Sequence, residues 1–297
     1  MNTAATLTLP TLLGDYPNTS AFRKGELGSP RVAFDFADVK APHHVFKQVV
    51  RELKFDVSEL AIITYLQAKA YGKPLVLLPV VVRGKFQHES LICTGERPVS
   101  TSDLAGRRVG IRAHSVTTVT WVRGIPQNEY GVDLDRIHWI TFEDPHVAEF
   151  RDPPAMERAA EGKQLMSMLL AGEVDAIVTT GKDLQDPRVC SVIPDPDAAA
   201  REWYERHQAV PINHMVCVKE TALAAYPWLA EEVFRLLSEA RKRAGLPAKG
   251  EIDAFPLGVE ANRRSLALII QYAAQQRLIP RAFEVDELFN DVTRELR

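Results

Sequence analysis

The most constraining feature of this sequence is an unbroken apolar run, Leu75–Val82. A strand with one face in water alternates apolar and polar residues, so such a run predicts a strand that is buried on both faces, as in a parallel sheet covered by helices. Earlier in the chain, strands are predicted over 6–13 and 31–36. Helices are predicted over 42–53 and, after an approach over residues 55–60, through Tyr65 to residue 70. This alternation predicts an α/β fold.

A second strand and helix series follows, and two lone apolar strands flank it at 86–94 and 210–218. That order is expected if the chain crosses once from a first lobe to a second and then returns. The sequence therefore predicts two lobes with a ligand cleft between them. The predicted lobes are residues 1–94 with 211–297, and residues 95–210. The elements predicted for the second series are strands over 109–111, 138–142 and 174–180 and a helix over 163–170. After the return strand, helices are predicted over 227–245, 262–276 and 285–296.

Composition narrows the classes of partner. The 297 residues are 46% apolar and 25% charged, with a formal net charge of -3, and the basic residues are scattered. No basic face for nucleic acid or for an anionic membrane is indicated. The N-terminal stretch lacks the pattern of a secretory signal and no apolar run is long enough to span a bilayer, so a cytoplasmic protein is predicted. Three widely spaced cysteines without metal-ligand spacing predict reduced thiols.

The strand at 109–111 leads into a turn that is rich in hydrogen-bond donors. Arg112 is followed by the hydroxyl residues Ser115, Thr117 and Thr118, and a helix begins there. Unpaired N–H groups and the positive end of the dipole at a helix N-terminus attract anions. The turn is therefore a candidate site for a carboxylate, although an ordinary helix cap with a surface arginine would have the same pattern.

Other loops at predicted strand ends offer further candidates for ligand binding, because open α/β sheets bind ligands at the carboxyl ends of their strands. Turn chemistry alone would also place aspartate and asparagine in the first of these loops. Ser58 is expected either as a helix N-cap or as a cleft residue. The candidates are Asp15, Tyr16, Asn18 and Thr19 after the first strand, Ser58, and Thr179 at the end of the strand over 174–180.

Long segments of the chain resemble the 4,5-dihydroxyphthalate decarboxylase family. The resemblance covers most of residues 10–220 and is weaker over 28–44 and in the C-terminal third. It implies the periplasmic-binding-protein-like type II fold, in which two α/β lobes close on a ligand. The segments that carry it are GDYPNT, FDVSELAIITYLQAKAYGKPLVLLPV, RRVGIRAHSVTTVTWVRGI, NEYGVDLD, TFEDPHVAEFRDPP and PINHMV.

The resemblance implies an enzyme that decarboxylates 4,5-dihydroxyphthalate to protocatechuate and CO2 in aromatic catabolism, without a cofactor. A ring hydroxyl para to the departing carboxylate allows the ring carbon to be protonated to a dienone-like species, which accepts the electrons of the broken bond when CO2 leaves. The protein must therefore offer a proton donor, an acceptor for the phenolic proton and cations for the carboxylate that stays. The expected partner is a small aromatic dicarboxylate, and a homo-oligomer is left open. The alternative is a non-catalytic binding protein for an aromatic or other organic acid.

Histidine suits the proton roles because its ordinary pKa is close to neutral. His88 and His214 lie on the two crossover strands, and His146 follows a strand of the second lobe, so these three are the catalytic candidates. Each could instead be a buried histidine bonded to backbone. His43 and His44 are expected to face solvent.

For the substrate carboxylate, Arg112 and its turn are the first choice, since arginine holds a carboxylate bidentately. Arg151 is the second choice, with an ion pair to Asp152 or Glu149 as its alternative. No close pair of histidines forms a metal motif, so no metal ligands are predicted. A divalent ion on His88, Glu89, His146 and His214 remains a minor alternative.

Overall fold

The computed structural model of the protein describes residues 7–297 and contains two β-sheets. In the first sheet the strand order is β2-β1-β3-β11-β4. Strands β1, β2 and β3 are parallel, while β11 runs antiparallel to both β3 and β4. Its strands are β1 Leu7–Leu12, β2 Val32–Phe36, β3 Val57–Ala61, β4 Leu75–Gly84 and β11 Ile212–Lys219. Thr6, where the first strand was predicted to begin, lies outside the described residues.

The second sheet has the order β10-β5-β9-β6-β7-β8. Strand β6 pairs in parallel with β7 and β9, whereas β5 runs antiparallel to β9 and β10. Residues 91–94 were predicted in the first lobe, but they form β5 and therefore belong to the second sheet. The other predicted lobe boundaries stay a prediction. Its strands are β5 Leu91–Thr94, β6 Arg108–Ile111, β7 His138–Thr141, β8 Glu157–Arg158, β9 Ala176–Val178 and β10 Val189–Ser191.

Helices cover the sheets and connect their strands. Three of the described helices were not predicted from the sequence: Ser20–Arg23, Pro196–His207 and Glu220–Ala225. No helix within residues 7–297 is both long and apolar enough to cross a membrane. The helices are α1 Ser20–Arg23, α2 Phe46–Glu52, α3 Ile62–Ala70, α4 Thr117–Glu129, α5 Leu165–Ala171, α6 Pro196–His207, α7 Glu220–Ala225, α8 Leu229–Arg243, α9 Val259–Gln275 and α10 Asp291–Arg294.

The predicted α/β class is confirmed, and the run Leu75–Val82 is buried along its whole length. However, β4 lies at the edge of its sheet and pairs with the antiparallel strand β11. Among the described strands it has no parallel neighbour, so its burial comes from the helices that pack on its two faces and exclude water. Continuous apolar sequence reports burial of both faces, not the direction of the neighbouring strand.

Three local predictions were wrong. Ser58 does not cap a helix but lies inside β3, because residues 57–61 pair with both β1 and β11. Only the second half of the segment 86–94 is a strand, and His88 begins a 3-10 turn, His88–Ser90. The helix predicted over 285–296 is a 3-10 turn, Val285–Leu288, followed by α10.

Candidate active site

A cleft of about 580 Å³ lies between loops and strand ends of the two sheets. It brings together eight of the predicted site residues. From the first sheet come Tyr16 and His214, and from the second come residues of the β6–α4 turn, His146 and Thr179. The lining side chains are those of Tyr16, Pro17, His43, Phe46, Ala61, Val82, Arg83, Lys85, Arg112, Ser115, Val116, Thr117, Thr118, Val119, His146, Leu165, Val178, Thr179, Thr180, Asn213, His214 and Phe255.

The charge of the cleft wall is one-sided. Arg83, Lys85 and Arg112 line it, and among the residues of the described chain that line it there is no aspartate or glutamate. Lys85 and Arg112 have exposed carboxylate partners outside the lining, Glu89 at 2.9 Å and Glu143 at 3.5 Å. A concave site lined by one sign of charge concentrates the field and attracts ligands of the opposite sign. The cleft therefore favours an anion with more than one negative group.

A buried carboxylate, Glu59, lies directly behind the cleft wall. It is 0% exposed and accepts three hydrogen bonds: from the backbone N–H of Gly14 at 2.8 Å, from the Tyr16 hydroxyl at 2.8 Å and from Nδ1 of His214 at 2.5 Å. A side chain at Gly14 would collide with the Tyr16 ring, since its Cβ would lie 2.3 Å from that ring. Glycine at this position lets the tyrosine fold back onto the carboxylate.

These contacts determine the protonation of the group. Burial acts to raise the pKa of Glu59, but the hydrogen bond and charge of His214, with the donors from Gly14 and Tyr16, outweigh it and hold that pKa below its ordinary value. Burial and the neighbouring Glu59 raise the pKa of Tyr16, so its hydroxyl stays protonated. An ionised Glu59 accepts a hydrogen bond from the Nδ1–H of His214, so Nε2 is the ring atom that remains available for chemistry.

His146 lies on the same wall, and the ring of Phe46 separates it from His214. The Phe46 centroid is 5.7 Å from the centroid of His146 and 5.2 Å from that of His214. Nδ1 of His146 is 2.8 Å from the Thr64 hydroxyl. Burial, with the charge of Arg112 in second place, lowers the pKa of His146 to about 3. At neutral pH this histidine is uncharged and can accept a proton or a hydrogen bond.

The anion-binding turn of the sequence prediction forms part of the cleft. Arg112 follows the end of β6, and Thr117 and Thr118 are the first residues of α4. The Thr117 hydroxyl accepts a hydrogen bond from the backbone N–H of Ile63 at 3.2 Å, and the Thr118 hydroxyl accepts one from the Asn213 amide at 3.2 Å. These bonds hold the N-terminus of α4 against α3 and β11, so the turn has a defined place in the cleft wall.

His88 does not line the cleft, contrary to the expectation for a crossover strand. It is 2% exposed and lies against Phe86 and Trp203, with ring centroids 6.3 and 6.0 Å away. The 3-10 turn that replaces the strand directs it into the packing beside α6. Burial lowers its pKa to about 4.

The remaining predicted residues have structural contacts outside the cleft. Asp15 is exposed and 3.9 Å from Lys24. The Asn18 amide donates to the carbonyls of Val81 and Val82, and the Thr19 hydroxyl to that of Gly14, which ties the loop to β4.

Ser58 and Arg151 complete this group. The Ser58 hydroxyl lies 3.2 Å from Sγ of Cys217 on the neighbouring strand. Arg151 donates to the backbone carbonyls of Ala148 and Phe150 and forms neither of the ion pairs considered for it. Both residues therefore stabilise the fold locally.

Sequence reasoning missed Glu59, His43, Lys85 and Asn213, and it considered Arg83 only as a possible carboxylate ligand without local context. His43 was expected to face solvent, but it is half-buried in the cleft wall, and burial followed by the charge of Arg112 lowers its pKa to about 4. Arg83 lies 5.3 Å from the centre of the Tyr16 ring. The sequence contained one signal for Arg83 and Lys85: they follow the apolar run Leu75–Val82, and the carboxyl end of the strand that this run predicts should face the ligand.

Metal binding was a minor alternative at this site. Across residues 7–297, no three side chains of His, Cys, Asp or Glu are grouped so that they could hold a metal ion. The set proposed from the sequence is divided because His88 lies beside α6 rather than with His146 and His214.

The fold and the cleft define the class of protein, a periplasmic-binding-protein-like type II fold. The sulphonate-binding protein SsuA of Escherichia coli has this fold, with a TM-score of 0.60, 16% identity, and coverage of 97% of this chain and 98% of that one. The desulfurization enzyme DszB is also similar, with a TM-score of 0.56, 15% identity and 97% of both chains covered. The predicted fold is thereby confirmed. Binding proteins and enzymes both occur in this class.

The sequence comparison narrows the class further. The chain is 31% identical to the 4,5-dihydroxyphthalate decarboxylase of Comamonas testosteroni over 201 residues, which are 63% of this chain and 61% of the relative. It is 27% identical to the Pseudomonas putida protein of the same name over 215 residues, 67% of this chain and 81% of the relative. The resemblance predicted from the sequence is confirmed, and the match spans about three fifths of the length of the Comamonas protein. No family model matches the chain.

Proposed function

We infer that the protein decarboxylates a dihydroxylated aromatic dicarboxylate, with 4,5-dihydroxyphthalate as the substrate and protocatechuate and CO2 as products. One observation carries this proposal. The strongly charged side chains of the described residues that line the cleft are all cationic, and His214 in the cleft wall is hydrogen-bonded to the buried Glu59 behind it. The cations suit a dianion, and the pair is suited to moving a proton. The similarity to two decarboxylases named for this substrate supports the choice of reaction.

The retained carboxylate is assigned to Arg112 and the hydroxyls of Ser115, Thr117 and Thr118. A guanidinium makes two parallel hydrogen bonds to a carboxylate, and the N-terminus of α4 adds a favourable dipole. Arg83 and Lys85, on the opposite side of the cleft, are assigned to the charge of the departing group before it leaves. These contacts position the substrate ring against the part of the cleft wall that contains His146 and His214.

The proton transfers are assigned to the two histidines. His214, with Nδ1 hydrogen-bonded to Glu59, is assigned as the proton donor: its imidazolium form gives the Nε2 proton to the ring carbon that bears the departing carboxylate, and that carbon becomes tetrahedral. The uncharged His146 accepts the phenolic proton as the ring becomes dienone-like. The carbon–carboxylate bond then breaks, its electron pair restores the aromatic ring, CO2 leaves, and the phenolic oxygen regains its proton. His214 is protonated again from solvent, so one proton is consumed in each turnover.

The proposal includes catalysis without a cofactor, because the dienone-like ring that the para hydroxyl makes possible accepts the electron pair of the broken bond, which a cofactor would otherwise have to accept. It also includes a cytoplasmic location, which fractionation of the producing cells would test. The partner is the small aromatic acid. The competing proposal, a protein that only captures such an acid, rests on the binding proteins that share the fold.

The decisive experiment follows the ultraviolet spectrum of 4,5-dihydroxyphthalate incubated with purified, chelator-treated protein. We expect the spectrum of protocatechuate to replace that of the substrate. Binding without any spectral conversion would establish the capture role instead, and activity that disappears with the chelator and returns with a divalent ion would overturn the cofactor-free reaction. Arg112→Ala should raise KM about 10- to 100-fold, the loss expected for a charge-assisted hydrogen bond. Arg107→Ala is the matched control, since Arg107 is exposed and pairs with Asp175 away from the cleft.

A further inference from the structure

A second cavity, of about 120 Å³, shares no lining residue with the cleft. Its walls come from α4, the loops around residues 133–139 and 153–156, and the C-terminal end of α9. None of the residues that are assigned above to catalysis or substrate binding lines this cavity.

The cavity contains a buried arginine without a counterion. Arg123 is 5% exposed, and within residues 7–297 no carboxylate oxygen lies within 4.0 Å of its guanidinium. Its Nη1 donates to Nδ1 of His114 at 2.5 Å, and the guanidinium carbon lies 4.9 Å from the centre of the Trp139 ring. Nε is buried without an acceptor in the described chain. An uncompensated buried charge is strongly unfavourable, so an anion bound beside Arg123 would be stabilising.

The acidic residues near the cavity do not supply that anion. Asp135 pairs with Arg277 at 3.4 Å, and Asp133 accepts a hydrogen bond from the backbone N–H of Asp135 at 3.0 Å. Asp135 and Asp152 are both close enough for their charges to act on Arg123, but neither makes an ion pair with it, and one oxygen of Asp152 is buried without a donor among the described residues.

A second donor is available at the cavity wall. Gln127 lies one turn beyond Arg123 on α4, and its side-chain oxygen is buried without a donor among the described residues. Residues four apart on a helix face the same side, so the carboxamide and the guanidinium can address one ligand. The carboxamide can turn to present its N–H to an acceptor.

We propose that this cavity is a binding site for a small oxyanion, a carboxylate or a phosphate, held by Arg123 with Gln127 as second donor. A planar guanidinium matches the spacing of two oxygens on such a group. The cavity has about 120 Å³ against about 580 Å³ for the cleft, so the ligand is smaller than the proposed substrate. The site is therefore additional to the cleft and independent of the reaction assigned to it.

The experiment uses Trp139 as an internal reporter, because an anion on Arg123 changes the charge above that indole ring. Tryptophan fluorescence is titrated with sodium phosphate, sodium acetate or sodium chloride at constant ionic strength. We expect a saturable change with phosphate or acetate and none with chloride, and the more effective anion identifies the source of the ligand. The absence of a saturable change with both oxyanions, or an equal change with chloride, would overturn the proposal.

Variants locate the binding. Arg123→Met should weaken it about 10- to 100-fold, while Arg112→Ala, which changes the cleft, should leave it unaltered. Trp139→Phe should lose the optical signal but keep the heat of binding in calorimetry. If Arg123→Met does not fold, Gln127→Leu provides the test, with an expected loss of several-fold in affinity. Unchanged affinity in both Arg123→Met and Gln127→Leu, or loss in Arg112→Ala, would place the anion elsewhere and refute the site.

Discussion

At the residue scale, the pairing of Glu59 with His214 depends on the register of two strands. In the antiparallel ladder between β3 and β11, His214 is opposite Ala61 and Val216 is opposite Glu59. The two side chains are therefore diagonal neighbours on one face of the sheet, within reach of each other. His214 was a candidate from the sequence, but its partner was hidden because residues 55–60 were interpreted as the approach to a helix.

The first prediction concerns this pair. His214→Asn should lower kcat by a factor of about 100 or more, the usual contribution of a positioned acid or base. Glu59→Gln should also lower kcat, because the amide keeps a hydrogen-bond acceptor but lacks the negative charge that favours a protonated histidine. KM should change little in both variants, since neither residue is among the cations that are assigned to the substrate carboxylates. Steady-state kinetics with 4,5-dihydroxyphthalate measures both constants.

His138→Asn is a suitable control for that comparison, because His138 is exposed at the start of β7. Normal kcat in His214→Asn would remove it from the proton-donor role. A rise in KM without loss of kcat would instead assign it to binding.

At the element scale, α4 has two functions. Its first turn contributes to the cleft, while its later residues pack closely against α9, where Gly124 lies under the ring of Tyr272. Trp121, one turn earlier, also contacts Tyr272 and donates from its indole N–H to the carbonyl of Ile212 at 2.8 Å. The helix that begins with the predicted anion-binding turn is thus held by contacts to the C-terminal part of the chain.

The second prediction tests this packing. Alanine is intrinsically favoured over glycine in a helix by about 1 kcal/mol, yet Gly124→Ala should destabilise the protein because the new Cβ would lie 2.1 Å from the Tyr272 ring. Overpacking of this kind costs about 1 to 3 kcal/mol. Thermal unfolding of Gly124→Ala should therefore occur several degrees below that of the parent protein.

Gly28→Ala is the matched control for this substitution. A Cβ at residue 28 meets no heavy atom within 4 Å, so its melting temperature should stay close to the parent value. An unchanged or raised melting temperature in Gly124→Ala would show that α4 and α9 can separate without cost.

At the scale of the whole molecule, stability should depend on buried uncharged histidines. Burial lowers the pKa of His88 to about 4, of His114 to about 2 and of His146 to about 3. In the unfolded chain these groups have an ordinary pKa near 6.5. Below that pH the unfolded state binds protons that the native state does not, so stability must fall as pH decreases.

The third prediction follows from that sign. The free energy of unfolding, measured in urea at pH 7.5, 6.0 and 5.0, should decrease toward pH 5, with each buried histidine adding up to about 1.4 kcal/mol per pH unit. Measurements above pH 5 avoid the protonation of carboxylates such as Glu59. His88→Gln should make the dependence shallower, whereas the exposed His138→Gln should not. A free energy that is constant between pH 7.5 and 5.0 would contradict the assignment of these histidines as uncharged.

What the sequence determined by itself is the α/β class, the two-lobed fold, the family resemblance and the cationic turn after β6. These follow from apolar periodicity and from local runs of residues, and both are visible along the chain. Residues such as Tyr16, Thr179 and His214 could be proposed because the ends of strands approach the cleft in this class of fold.

Only the tertiary structure decided which side chains meet. It paired Glu59 with His214 and brought His43, Arg83 and Lys85 into the cleft. It also placed His88 beside α6, and it left Arg123 in a second cavity without an ion pair among the described residues. Each of these depends on strand register or on the packing of segments distant in sequence. A shift of one residue turns a strand's side chains to the other face, so no local pattern contains that information.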